Sequence, residues 1–308
     1  MKTIQILSAT GIVLLSAAII FTACQKSSTD TSANSISTQD VAALQTSATA
    51  DDETDNIYND VAANVLGVND DAGIGAGVGV FFASPGQANG TTVSQFGNGE
   101  DSVGRCYTVT IDPVRVGVFP KTITIDFGSG CTGRDGHTRR GKIITVYTGH
   151  LVDAGSKATT SFDGFYFDSL KVEGSFSIQN TSTATALSFT TTVTNGKLTA
   201  PSGDYIEINR NHTWTQTAGM DTPHNPLDDV FSITGSSSGT AQIAGVTAQW
   251  TTNITQPVIR KLTCRWRVAG QVTITRNDKT AVLDYGNGDC DNKATVTINS
   301  RVYNIILH

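Results

Sequence analysis

The chain has 308 residues and a formal net charge of −6, and only 16% of its residues are charged. This length is enough for one large β domain or two small ones. The acidic balance argues against a general nucleic-acid binder, because such a protein needs a basic face for the phosphates. The composition is skewed towards Thr, Ser, Gly, Val and Ile, which is typical of short strands joined by tight turns.

The N-terminus has the pattern of a secretory signal. Lys2 is followed by an apolar stretch over residues 4–21, and small residues then precede Cys24. We therefore predict a signal peptide over residues 1–23, which is excluded from the fold. A retained transmembrane helix is the alternative, but the stretch is short and interrupted by polar residues. Export also predicts an oxidising compartment, where disulfides persist.

The last four residues of this stretch, Phe-Thr-Ala-Cys, resemble the lipobox of bacterial lipoproteins, in which the cysteine becomes the lipidated first residue. The resemblance implies a lipid anchor at Cys24 and a membrane as partner. Gln25 is not the Asp that favours inner-membrane retention in such lipoproteins. The expected location is therefore the outer membrane, on its periplasmic or its cell-surface face.

Residues 24–55 are predicted to be the lipidated cysteine and a flexible tether. From Gln25 to Ala50 the chain is rich in Ser, Thr, Gln and Ala and has no aromatic residue. A segment of this kind buries too little apolar surface to become ordered.

Residues 56–102 are predicted to form a short helix and an extended segment. Ile57, Val61 and Val65 are spaced four residues apart, after an acidic run at 51–55 and before Gly67. This spacing indicates a helix with one apolar stripe. The glycine-rich residues that follow indicate extended chain, without the spacing of a dinucleotide-binding loop.

From residue 103 onwards, apolar and polar residues alternate in short runs; two examples are residues 170–178 and 262–268. Alternation indicates strands with one buried and one exposed face, as in antiparallel sheets. Turn sequences separate the runs. We predict an all-β domain over residues 103–308, an antiparallel meander of about a dozen strands that closes as a sandwich or a wide barrel.

A pattern that occurs twice in this domain predicts two disulfides. Each copy has a cysteine, then a strand ending in Asp, an aromatic residue, Gly, any residue and Gly, and then a second cysteine. The copies run from Cys106 to Cys131 and from Cys264 to Cys290. Four cysteines allow three pairings, and the matched separations of 25 and 26 residues favour pairing within each copy. Each bridge would contribute about 3–4 kcal/mol. A zinc site is the alternative, but no short CxxC pair is present.

Four segments also carry a resemblance to known sequences: TITIDFGSGCTGRDGHTRRGKIITVYTG (Thr122 to Gly149), DDVFSITGSSSGT (Asp228 to Thr240), LTCRWRVAG (Leu262 to Gly270) and LDYGNGDCDNKATVTIN (Leu283 to Asn299). In these segments, residues 106–308 resemble an uncharacterised group of bacteroidete lipoproteins that has no assigned activity. The resemblance implies an exported, lipid-anchored β protein. It supplies no catalytic residues.

Two groups of residues are candidates for ligand binding. Arg139 and Arg140 belong to the most cationic stretch of the chain, and arginine forks suit carboxylates, phosphates or uronic acids. Arg210, His212 and Trp214 share one face of a predicted strand, which suggests a groove for a glycan. The alternatives are a solvated hairpin for the first group and satisfied polar residues at a sheet margin for the second.

No cofactor is predicted, with one option kept open. The turn after residue 283 offers oxygen ligands for calcium on a glycine loop: Asp284, Asn287, Asp289 and Asp291. The spacing does not fit the helix-loop-helix calcium pattern, and Asn, Asp and Gly also form ordinary turns.

The sequence thus predicts a cell-envelope lipoprotein whose β domain is a non-enzymatic structural or binding module. A glycan- or lipid-binding surface lipoprotein is one alternative, and a hydrolase with an unrecognised site is another. A glycan or an envelope protein is the expected partner. No motif assigns a catalytic residue, so enzymatic activity stays open, with a non-enzymatic role favoured.

Overall fold

A computed structural model describes residues 37–71 and 106–307, apart from positions 116, 134–135, 223–225 and 265, and gives only the backbone of residues 63–71. The predicted signal peptide, Cys24 and the predicted extended segment lie outside the described residues. Within the described part, no helix is long and apolar enough to span a membrane.

The described residues form one long helix and fourteen strands. Their bounds are α1 (Thr38–Asp71), β1 (Thr108–Asp112), β2 (Lys121–Asp126), β3 (Cys131–Thr132), β4 (Thr138–Tyr147), β5 (Lys157–Phe167), β6 (Leu170–Asn180), β7 (Ser188–Thr199), β8 (Tyr205–Ala218), β9 (Val230–Ile243), β10 (Val246–Lys261), β11 (Ala269–Arg276), β12 (Lys279–Asn287), β13 (Lys293–Ile298) and β14 (Arg301–Ile306). A short 3₁₀ helix, Pro226–Asp228, precedes β9.

All fourteen strands belong to a single antiparallel sheet in which nearly every strand pairs with its neighbour in sequence. The short β3 pairs only with β4. The predicted all-β antiparallel meander is therefore confirmed. The sheet does not close on itself, because β1 and β14 form its two edges. The predicted closure as a sandwich or barrel is wrong, since α1 rather than a second wall of strands covers the inner face.

The two faces of the sheet differ as the alternation predicts. On β8, every second residue from Ile206 to Gln216 is buried, and the residues between them are exposed or half-buried. Buried side chains from β2 through β13 and from α1 belong to one hydrophobic core. We call the sheet face that lines this core the inner face. A single core shared by so many strands requires the sheet to curve around it.

Helix α1 begins at a serine N-cap that the sequence-based prediction missed. The Ser37 hydroxyl accepts a hydrogen bond from the Asp40 backbone N–H at 3.1 Å and donates to the Asp40 carboxylate at 2.7 Å. The first of these bonds satisfies one backbone N–H at the helix start, as an N-cap serine does. The helix therefore starts at Thr38, and the predicted tether over residues 24–55 is wrong for its second half.

The helix is buried on nearly all sides. Between Val41 and Ala62, only Ala42, Thr49 and Asn56 are exposed, and their seven-residue spacing places them on one narrow stripe. Several of the buried side chains are small: Ala43, Ser47, Ala48, Ala50 and Thr54. Small residues let the helix lie close to the sheet. The predicted apolar stripe is confirmed at Ile57 and Val61, which are buried.

Glycine-containing bulges accompany breaks in the strand register. Gly141 and Gly174 have φ angles of +81° and +102°, and the pairing shifts beside each of them. A Cβ atom on Gly174 would lie 2.4 Å from the Asn195 carbonyl oxygen of the next strand. Only glycine fits such a position, and bulges of this kind bend a sheet.

One predicted strand is absent. Residues 262–268 were expected to continue the alternating pattern, but β10 ends at Lys261 and β11 begins at Ala269. The segment between them is a loop, because the Cys264 backbone N–H donates to the Lys261 carbonyl and turns the chain. This loop places Arg267 against the helix.

Candidate functional site

Both predicted disulfides are confirmed, and they occupy equivalent places. Cys106 and Cys131 have Cα atoms 5.3 Å apart, and Cys264 and Cys290 have Cα atoms 5.7 Å apart. The first bridge closes the open end of the β1–β2 hairpin, and the second closes the open end of the β11–β12 hairpin. Each bridge therefore fixes the hairpin end that lies opposite its loop.

The turn beside each disulfide is also duplicated. The Asp126 carboxylate accepts a hydrogen bond from the Gly128 backbone N–H, and the Asp284 carboxylate accepts one from the Gly286 N–H, both at 2.8 Å. At Asp126, this bond and the nearby Lys142 lower the pKa of the carboxyl below its usual value. The duplicated motif thus builds a hairpin end, as its turn residues predict.

The main cluster of buried charge lies where α1 crosses the inner face. The Asp55 carboxylate pairs through one oxygen with Arg210 of β8 and through the other with Arg267 of the β10–β11 loop. Arg267 also pairs with Asp52, and the second nitrogen of Arg210 donates to the Asp51 backbone carbonyl at 2.9 Å. The exposed fractions of the Arg210 and Asp55 side chains are 3% and 6%. We call these five residues the helix–sheet ion cluster.

Further pairs hold other parts of α1 to the sheet. Arg139 of β4 donates to the Asp60 carboxylate at 2.7 Å, and Arg276 of β11 donates to Asp40 at 3.3 Å. Between them, the Tyr58 hydroxyl donates to the Glu173 carbonyl of β6 at 2.7 Å. The helix therefore crosses the sheet from β11 to β4, with a polar contact at several strands on the way.

The environment of the cluster disfavours unpaired charge. Burial lowers the pKa of the Arg210 guanidinium, and the Asp51 carboxylate opposes this shift. Burial also raises the pKa of Tyr285, whose hydroxyl accepts a hydrogen bond from Arg267. Desolvation of this kind is costly unless each charge has a close partner. The carboxylates of α1 provide those partners.

His212 lies beside the cluster and borders a small cavity. Its side chain is buried, and burial together with the nearby Arg210 lowers its pKa to about 3. The cavity has a volume of about 20 Å³, and its polar lining is Asp51, Asp55, His212, Thr252, Arg267 and Tyr285. This volume suffices for about one water molecule. Because its pKa is lowered, His212 is a neutral imidazole at physiological pH.

The five predicted ligand-binding residues fall into two environments. Arg139, Arg210, His212 and Trp214 are buried on the inner face. Arg210, His212 and Trp214 share a face as expected, but that face packs against α1, and so does Arg139. Arg140 points to the opposite side of β4, where it is exposed and its guanidinium lies 3.6 Å from the centroid of the Tyr166 ring. Only Arg140 of the five is accessible to a large ligand.

Trp214 has a structural environment. Its indole N–H donates to the Thr191 hydroxyl at 3.2 Å, and its ring lies edge-on to Phe231 with centroids 6.4 Å apart. A buried indole with a satisfied N–H is typical of a core residue.

The residues proposed for calcium take part in the local turn. Asp284 accepts hydrogen bonds from the Gly286 backbone and from the Gln271 side chain, and Asp291 accepts one from the Lys293 backbone at 3.0 Å. Asn287 and Asp289 are exposed. Among the described residues, no group of three or more His, Cys, Asp or Glu side chains is arranged to hold a metal ion.

The sequence-based prediction missed Asp51, Asp52, Asp55, Asp60 and Arg267. The acidic run at 51–55 was interpreted only as a helix start, although Asp51 and Asp55 are four residues apart and so share a helix face. That spacing was the available signal for a charged contact surface. Arg267 belongs to residues 262–268, which were predicted to be a strand, and its loop conformation has no clear signal in the sequence.

Comparison with models of protein families, with curated proteins and with solved structures finds no match to this chain.

Proposed function

We propose that this protein is a non-enzymatic structural or binding module of the cell envelope, attached to the outer membrane through a lipid on Cys24. One observation carries the proposal. The charged inner face of the sheet is covered by the chain's own helix, and the buried carboxylates of that helix are paired with arginines. The groups that would bind a ligand on this face are already engaged.

The size of the cavity supports this proposal. Pockets for small molecules usually measure several hundred Å³, whereas the cavity beside His212 measures about 20 Å³. A glycosidase needs two carboxyl groups about 5–10 Å apart that are free to act on the substrate. Asp52 and Asp55 instead meet at Arg267. The buried acidic residues are therefore better suited to holding the helix than to catalysis.

The two disulfides support export. Disulfides of this kind are typical of oxidising compartments outside the cytoplasm. If Cys24 carries the lipid, Ser37 at the helix start lies thirteen positions after it. Fully extended, these thirteen steps along the chain would span at most about 47 Å. The domain would thus stay closer to the membrane than a tether reaching residue 55 would allow.

The anchor is tested by Cys24→Ala. We expect the chain with Cys24 to incorporate labelled palmitate and to sediment with outer membranes. We expect the variant to do neither. Equal labelling of both chains would contradict the anchor. Protease treatment of intact cells then distinguishes the two membrane faces, because degradation indicates the cell surface and protection indicates the periplasm.

The absence of a glycan function is tested on the exposed arginine. We expect purified chain to show no saturable binding to acidic polysaccharides on a glycan array. Saturable binding that is lost in Arg140→Ala and kept in Lys157→Ala, a control on the neighbouring β5, would instead support the glycan-binding alternative.

A further inference from the structure

The β14 edge of the sheet has a pattern that fits a second copy of itself. β14 pairs with β13 through a two-residue turn at Asn299 and Ser300, which have φ angles of +47° and +65°. In such a hairpin the residues flanking the turn exchange hydrogen bonds, and the pattern alternates from there. The Leu307 N–H donates to the Asn292 carbonyl at 2.8 Å and confirms the phase.

This phase determines which backbone groups face away from the sheet. The N–H and C=O groups of Arg301, Tyr303 and Ile305 point towards β13, so those of Val302, Asn304 and Ile306 point outwards. Among the described residues, β14 pairs with β13 alone. The edge therefore presents three outward-facing residues, each with a donor and an acceptor.

The side chains of these three residues lie on the exposed face of the sheet. Val302 is 63% exposed and Ile306 is 55% exposed, and Asn304 between them is also exposed. Natural sheet edges are usually protected by charged residues, proline or bulges. From Val302 to Ile306 the β14 edge has none of these. The β1 edge, in contrast, ends at Asp112 and Pro113 and is bounded by the Cys106 disulfide.

We propose that two copies of this chain associate through antiparallel pairing of their β14 edges, with a twofold axis at Asn304. In this register Asn304 faces Asn304 of the second copy, and Val302 faces Ile306 on both sides of the axis. Backbone groups of the three outward residues form six hydrogen bonds. Apolar side chains meet apolar ones, and two amides meet at the axis.

The charges at the edge are compatible with this register. Arg301 lies three residues from the axis and therefore faces Leu307 of the second copy, so the two arginines are not opposed. Like charges directly across a strand pair would be destabilising. The pairing is isologous, as expected for a twofold dimer, and it joins two fourteen-stranded sheets into one. Because the contact is small, the dimer belongs to the weak class of specific interfaces.

Self-association is tested on the full chain carrying Cys24→Ala, which removes the predicted anchor and the cysteine outside the two disulfides. Sedimentation equilibrium should show a monomer–dimer equilibrium that Val302→Lys or Ile306→Lys weakens at least about tenfold. Val146→Lys is the control, because Val146 is also apolar and exposed, at 38%, but lies on β4, which is paired on both sides. It should leave the equilibrium unchanged.

A crosslink tests the register even if the lysine variants fold poorly. In Asn304→Cys the two thiols face each other across the axis, at a Cα separation that a disulfide can bridge. Oxidation should give a covalent dimer of this variant and not of Val146→Cys at the same concentration. A chain that stays monomeric at high micromolar concentration, or association unaffected by both lysine changes, would overturn the proposal, as would equal crosslinking of the two cysteine variants.

Discussion

Two regions of this molecule are held together by different means. The β1–β2 and β11–β12 hairpins are each closed by a disulfide. The paired cysteines are 25 positions apart in the first hairpin and 26 in the second. Helix α1 is held by ion pairs between residues far apart in sequence, such as Asp55 and Arg210, which are separated by 155 positions. The hairpins are local and covalent, whereas the docking of the helix depends on the folded sheet.

The difference shows what buried charge contributes here. A disulfide stabilises largely by restricting the unfolded chain. Its effect therefore does not depend on how the folded sheet curves. Buried ion pairs stabilise little in net terms, because removing charges from water is costly. Once formed, however, they penalise any arrangement that separates the partners. We infer that the helix–sheet ion cluster fixes the position of α1 on the inner face.

The largest expected effect is that of Asp55→Ala. This change leaves the Arg210 and Arg267 guanidinium groups buried with one partner fewer, and such a loss typically costs about 3–5 kcal/mol. Denaturant unfolding measures it, with Thr49→Ala on the exposed stripe of the helix as control. A loss below about 1 kcal/mol, similar to that of the control, would mean that the cluster does not hold the helix.

The two disulfides are expected to make the next largest contribution, and to make it equally. Cys106→Ser with Cys131→Ser, and Cys264→Ser with Cys290→Ser, should each lower the free energy of unfolding by about 3–4 kcal/mol, because the two loops have nearly the same length. Thermal unfolding of both double variants provides the comparison. If one pair matters far more than the other, the loop-length argument fails.

A smaller effect is expected where the helix approaches β7. A Cβ atom on Gly196 would lie 2.6 Å from the Tyr58 hydroxyl oxygen and 2.5 Å from a Val193 methyl group. Gly196→Ala should therefore destabilise the protein by about 1–3 kcal/mol. Gly130→Ala is the control, since its Cβ would meet only a Thr138 methyl group at 3.8 Å.

The Gly196 contact can be assigned to the helix by a double variant. Tyr58→Phe removes the crowded hydroxyl, so the double variant should lose less stability than the sum of the two single changes. Strict additivity would show that the strain comes from Val193 and Ile208 of the sheet and not from α1.

The smallest expected effect concerns a buried carboxyl that meets an amide instead of a guanidinium. The Asp229 carboxylate accepts a hydrogen bond from Gln216 at 2.6 Å, and burial raises its pKa to about 6 from an ordinary 3.8. Between these values the folded state binds more protons than the unfolded state. Stability should therefore fall as the pH rises from about 4 to 6.

This pH dependence is measured by following the melting temperature of the unmodified chain and of Asp229→Asn. The variant keeps the acceptor oxygen for Gln216 but does not ionise, so its melting temperature should change less across this interval. Identical pH profiles for the two chains would contradict the assigned pKa.

The strands and disulfides could be predicted from the sequence because their signals are local. Alternation along β8 reports which side chains are buried, and the repeated cysteine pattern reports which residues pair. Whether the sheet closes could not be predicted, because the alternation of apolar and polar residues is the same in a sandwich, a barrel and an open sheet around a helix. What decides between these is the position of α1.

The first half of α1 was missed for a physical reason. A helix buried on nearly all sides needs no apolar stripe, and small residues such as Ala43 and Ala48 resemble those of a flexible tether. The N-cap at Ser37 and the i, i+4 pair of Asp51 and Asp55 were present, but a carboxylate on a helix usually faces water. Its burial here depends on Arg210 and Arg267, which no local pattern connects to it.

Hydrogen exchange of the backbone amides over residues 38–62 tests the central claim most directly. If ion pairs hold α1 on the inner face, these amides should be protected to nearly the same degree as those of β8 and β9, and Asp55→Ala should lower their protection first. Exchange at the rate of an unstructured chain, while β8 and β9 stay protected, would show that this segment is a tether and would contradict the account.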